Sequence, residues 1–90
     1  MSRAAVDPDE LERFVVALRR FNESSRGELA TVSRQFKRLG ESWQDEEEAR
    51  FAQSFEQMVR TMTRFLDESD RQVPVLARKA EAIRAYLERR

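Results

Sequence analysis

The sequence predicts an all-α protein, an antiparallel hairpin of two long helices that pairs with another hairpin into a four-helix bundle. Three observations predict it. Only two Gly and two Pro interrupt 90 residues, too few for a protein of many turns. Apolar residues recur at steps of three and four through two long segments, the period of a helix with one buried face. A single short polar stretch, starting at Gly40, separates the two. The chain reads as one domain over 1–90, with helix one at about 8–39, the turn at about 40–45 and helix two at about 46–89.

Helix one opens at Asp7-Pro8. The Asp carboxylate can accept the free N–H groups of the first turn, and Pro8 has no N–H to leave unpaired. Asp9, Glu10 and Glu12 place negative charge at the positive end of the helix dipole. From there Leu11, Phe14, Val15, Leu18, Phe21, Leu29, Val32, Phe36 and Leu39 fall within a stripe roughly 120° wide on a helical wheel. Ser25 sits where an apolar residue was due, either a point of close helix approach or a mild local defect. Gly40 ends the segment, and a left-handed cap is expected there because glycine pays no Cβ penalty in that conformation.

Helix two carries Phe51, Phe55, Met58, Val59, Met62, Phe65, Leu66, Val73, Leu76, Ala80, Ile83 and Leu87 on one stripe, with Ser69 interrupting it. A reversal within residues 40–45 sets Ser25 near Val59 and points Ser69 at the start of helix one, so the two serines do not pair. Pro74 lacks a donor and clashes with the carbonyl four residues back, which predicts a kink or a brief break. Helix one would be ~48 Å long and helix two up to the Pro ~42 Å. The remainder is then expected to overhang the hairpin.

A chain this short buries little of its surface, and it has no Cys or His to supply a disulfide or an ordinary zinc site. Each further Phe or Leu buried contributes about 1.5 to 3 kcal/mol. Pairing is therefore expected, with the core and dimer interface drawn from Leu11, Phe14, Leu18, Phe21, Leu29, Val32, Phe36, Phe51, Phe55, Met58, Met62, Phe65 and Leu66. No cofactor is expected.

In the turn, Asp45 and Glu48 have the spacing of a capping box, and Glu46 to Glu48 suit the start of a helix dipole. Trp43 is too large to leave idle and is expected to plug the hairpin end. Truncating it would then cost about 3 kcal/mol or more.

Composition also excludes function classes. Seventeen basic residues balance seventeen acidic ones, so no global field draws nucleic acid, and no aromatic stacking pattern sits among the arginines. Without His or Cys the chain lacks the commonest base and nucleophile, and it is read as non-enzymatic. No run approaches the ~20 apolar residues of a membrane span, and "MSRAAVDPDE" lacks the apolar core of a secretory leader.

Two helices of this length joined by a short turn with a Trp resemble the Trp-x-Gly family of small proteins exported by type VII (ESX) secretion systems. "DPDELERFVVALRRF" is similar to the family's first-helix opening, Gly40 to Trp43 to its turn, and Phe51 to an aromatic early in its second helix. The resemblance implies a small dimeric factor or binding module, made in the cytoplasm without a signal peptide and secreted by a leaderless route. Its partners would be itself or a homologous hairpin, and a secretion ATPase. The chain departs from the family at two points: Asp45 replaces the motif's Gly, and the residue four after Tyr86 is Arg90 where the export signal has an acid. A second class, a structural subunit or chaperone of another apparatus such as a type III needle hairpin, uses the same stripes but assembles head to tail.

Overall fold

The computed structural model describes residues 6–89. The first five residues, part of the segment read as lacking a leader, and Arg90, four after Tyr86, lie outside the described residues.

Two helices make the fold. Helix α1 spans Pro8–Leu39 and α2 spans Glu46–Glu88, packed antiparallel in a hairpin 67 Å long and 22 Å by 15 Å across. The caps form from local chemistry. The Asp7 carboxylate accepts the Asp9 N–H at 2.9 Å with Pro8 at the first helical position, and the Asp45 carboxylate accepts the Glu48 N–H at 2.9 Å. Each satisfies a donor that the first helical turn would otherwise leave free.

Pro74 does not break α2, which is continuous from Glu46 to Glu88. Pro74 faces solvent while its neighbour Val73 and the later Ala80 are buried. On the wet side, water can take up the carbonyl freed by the missing N–H, while the apolar phase keeps both halves of the helix on α1.

The register differs from the expected one. Asn22 stands opposite Ser69 and Phe36 opposite Phe55, so the chain reverses between Asp45 and Glu46, about three residues later than predicted. The cause is local: α1 does not stop winding at Leu39. Gly40 N–H donates to the Phe36 carbonyl, Glu41 to Arg38, and Ser42 and Trp43 to Leu39, at 2.9 to 3.1 Å. These residues keep climbing before the chain turns. Two expectations fall with the earlier reversal. The segment after Pro74 lies along α1, with Arg84 level with Asp9 and Glu12 at 2.8 Å from each, and only about a turn of α2 projects past α1. Ser69 faces Asn22, far from the start of the helix.

The centre of the hairpin is polar. Asn22, 1% exposed, accepts the Ser69 hydroxyl at 2.8 Å through Oδ1 and donates through Nδ2 to Asp70 Oδ1 at 2.9 Å. Arg26 closes the network, donating to Asp70 Oδ2 at 2.6 Å and Asp67 Oδ1 at 2.9 Å. Every buried side-chain polar atom among the described residues has a partner. Val15, Phe55, Leu66, Val73 and Ala80 supply the buried apolar side chains on either side.

Asn22→Ala is expected to cost about 1 to 3 kcal/mol in urea unfolding followed by circular dichroism, since it strands the Ser69 hydroxyl in the core. The double variant Asn22→Leu with Ser69→Ala should be near neutral, because no buried polar group is left unpaired. The ion pairs set an acid limit. Hydrogen bonding to Arg26 holds the Asp70 carboxyl below the usual 3.8, and hydrogen bonding to Arg84 does the same for Asp9. A depressed folded value means this stability is complete above the unfolded value and lost as pH falls through the folded one. The melting temperature should therefore change little from about pH 7 to 5 on account of these groups and fall below about pH 4. Asp70→Asn should flatten that decline.

Candidate interaction face

The hairpin presents unlike faces because two helices cover only part of each other's apolar stripe. On α1, Phe14 and Phe21, and again Val32 and Leu39, are exposed at seven-residue intervals, which keeps them in one helical phase. On α2, Phe51, Met58 and Phe65 repeat the same interval, with Met62 between. The two rows meet at mid-length in a groove lined by Phe21, Ser24, Ser25, Glu28, Leu29, Val32, Met58 and Met62. Large apolar side chains therefore line one side of the hairpin. A second groove, lined by Arg26, Leu29, Ala30, Ser33, Val59 and Thr63, is made mainly of small and polar groups.

At the closed end the aromatic residues gather. Phe36 and Phe55 lie 5.0 Å apart between ring centroids, Phe36 and Phe51 5.4 Å with ring planes at 63°, and Phe51 and Phe55 6.0 Å. Trp43 adjoins this group through Phe51 at 6.4 Å. Its place follows from the backbone: the helix-type bond from Trp43 N–H to the Leu39 carbonyl continues the phase of Phe36 and Leu39, so the indole lands on the apolar side. The plug expected from the sequence is therefore partial, for Trp43 is only half-buried.

The turn closes without glycine's special conformations. Gly40 has φ −62° and ψ −15°, a right-handed geometry and not the left-handed cap expected, and no described residue has positive φ. Side chains take up the last carbonyls of α1: Gln44 donates from Nε2 to the Gly40 carbonyl at 3.0 Å, and Ser42 from Oγ to the Leu39 carbonyl. Asp45, extended at φ −88° and ψ −175°, then starts α2.

Of the residues assigned from sequence to the core or dimer interface, Phe55 and Leu66 are buried, and Leu11, Leu18, Leu29 and Phe36 are half-buried. Phe14, Phe21, Val32, Phe51, Met58, Met62 and Phe65 are exposed on the single chain. Sequence reasoning overlooked Asn22 and Arg26. The signal was available for Asn22, which lies four residues from Leu18 and seven from Val15 and Leu29, at the centre of the stripe. Among the described residues no helix is long and apolar enough to cross a membrane.

Trp43→Ala is expected to cost about 1 to 2 kcal/mol in chemical unfolding, a fraction of the usual price of truncating a fully buried aromatic. Phe55→Ala, at a buried position, should cost about 3 kcal/mol or more.

No curated protein and no solved structure matches the chain. The model of one family, WXG100, described as proteins of 100 residues with WXG, matches residues 3–86. That span takes in both helical segments and the Trp43-bearing turn, and the chain belongs to the WXG100 family.

Proposed function

We propose that this protein is a non-enzymatic helical hairpin of the type VII secretion kind, whose working surface is its apolar face and whose partner on that face is another helical hairpin. The observation that carries the reading is the continuous row of exposed Phe, Val, Leu and Met along one side of both helices, a surface larger and more apolar than a solitary soluble chain tends to show. Family membership supplies the context. A bundle of four helices covers such stripes from both sides, which two helices cannot do.

The face suits recognition of a helix, because its anchors repeat at helical intervals and Met58 and Met62 are unbranched and adapt to a neighbouring surface. Carboxylate and guanidinium groups at the interhelical ion pairs are engaged within the chain. They fix the register of the two helices.

Export is tested by expressing a tagged chain in its own host with and without the FtsK/SpoIIIE-type ATPase of the secretion apparatus. The chain should reach the medium only with the ATPase present. Equal retention in the cells in both strains would overturn the secretion reading.

A further inference from the structure

We propose that the outer face of α1, the side turned away from α2, docks an acidic helix of a partner protein, with arginines holding its carboxylates toward both ends and Gly27 admitting its backbone between them. This stripe lies off the apolar row, so the proposal stands whatever covers that row.

The first observation is a segregation of charge. The chain is neutral as a whole, yet from Arg13 to Arg38 it carries seven basic residues against two acidic ones. At about 100° per residue, Arg13, Arg20, Arg34 and Arg38 fall within a band roughly 80° wide, opposite the buried Val15 and Asn22. All four are exposed. The two acids lie outside the band: Glu28 lines the apolar groove, and Glu23 stands at the edge toward Arg26. Among the described residues only Arg13 of the four is ion-paired, with Glu10 at 3.6 Å. Arg34 reaches no further than the Thr31 hydroxyl, at 3.3 Å. Arg26 and Arg84, by contrast, each grip two carboxylates across the hairpin.

The second observation is the bare middle of the stripe. Gly27 stands midway between Arg20 and Arg34, with the small Ser24 and Thr31 on the same side. Glycine is among the least favourable residues inside a helix, and nothing in the hairpin requires it here. Its φ is not positive, and no atom lies within 4 Å of where a Cβ would stand. What a missing side chain does permit is close approach of another backbone. Beyond this saddle Arg13 and Arg20 frame a shallow hollow floored by Val16 and Ala17, with Val16 44% exposed. That floor offers apolar contact to a docked helix.

Spacing selects the occupant. Arg20 and Arg34 are ~21 Å apart along α1, so a helix laid along the stripe meets both with carboxylates about four turns apart and passes Gly27 between them. Guanidinium takes a carboxylate through two parallel hydrogen bonds. Duplex nucleic acid fits less well, because each strand presents a phosphate about every 3.4 Å of axis. Several phosphates would then face the uncharged middle of the stripe without a cation.

The test uses the whole chain and a labelled, alanine-rich helical peptide with glutamates spaced to match Arg20 and Arg34. Binding is read by fluorescence anisotropy at low ionic strength, where exposed charges are least screened. Arg20→Gln with Arg34→Gln should weaken binding roughly tenfold, the worth of two exposed ion pairs. Gly27→Leu should weaken it too, by holding the backbones apart, whereas Arg60→Gln with Arg64→Gln on α2 should leave it unchanged. Gly27→Ala should raise the melting temperature of the chain alone; a lower one would show that the hairpin itself needs the glycine and overturn its assignment to a partner. No binding, equal binding of a peptide with glutamine for glutamate, or equal binding by the Arg20 and Arg34 double variant would overturn the site. Displacement of the peptide by a short DNA duplex at lower concentration than by unlabelled peptide would overturn the acidic helix in favour of nucleic acid.

Discussion

The contact between Asn22 and Ser69 governs how the two helices lie against each other. Apolar stripes of period three and four can slide past one another by a turn or two and still bury comparable area. A buried polar pair cannot slide, because each group must find its partner or remain desolvated and unpaired. Here the Asn22 amide is engaged on both sides, by the Ser69 hydroxyl and by Asp70, and Arg26 grips Asp70 from the rim. The Arg84 pairs with Asp9 and Glu12 repeat the lock at the open end. Exposed ion pairs of this kind add little net stability, and their contribution is to the specificity of one register.

Once that register is set, the exposure of one side follows from geometry. A helix with a stripe near 120° wide cannot hide it behind a single neighbour, and the flank facing away from the Arg26 side carries Phe14, Phe21 and Val32 on α1 and Met58, Met62 and Phe65 on α2. The same surface that would be a liability on a solitary chain is the means by which a small protein acquires a larger core through association. Phe55 and Leu66 stabilise the hairpin from inside, and on the proposed reading the exposed row would serve recognition.

The turn closes with Asp45 where the family motif has glycine. A glycine matters where φ must be positive, and no described residue of this turn has positive φ. Continued winding through Trp43, side-chain donation from Gln44 and Ser42 to the last carbonyls, and an extended Asp45 that caps the next helix together complete the reversal. Asp45 contributes a capping carboxylate that glycine lacks. The winding also decides where the indole goes, since it holds Trp43 in phase with Phe36 and Leu39.

The helices, their caps at Asp7 and Asp45, and the apolar residues of each stripe were legible from the sequence alone, because helix period and capping depend on neighbours within four residues. Family resemblance was legible for the same reason, being carried by a local turn motif between two periodic segments. Three features were decided only in the folded chain. The reversal point depended on whether the backbone wound past Gly40, a contest between helical hydrogen bonds and turn formation that composition does not resolve. Continuity through Pro74 depended on which side of α2 the proline faced once α1 was in place. The partnership of Asn22, Arg26, Ser69 and Asp70 joins residues more than forty positions apart, so it exists only after the register does. Local periodicity determined the elements of this protein, and long-range polar pairing decided how they meet and which side was left open.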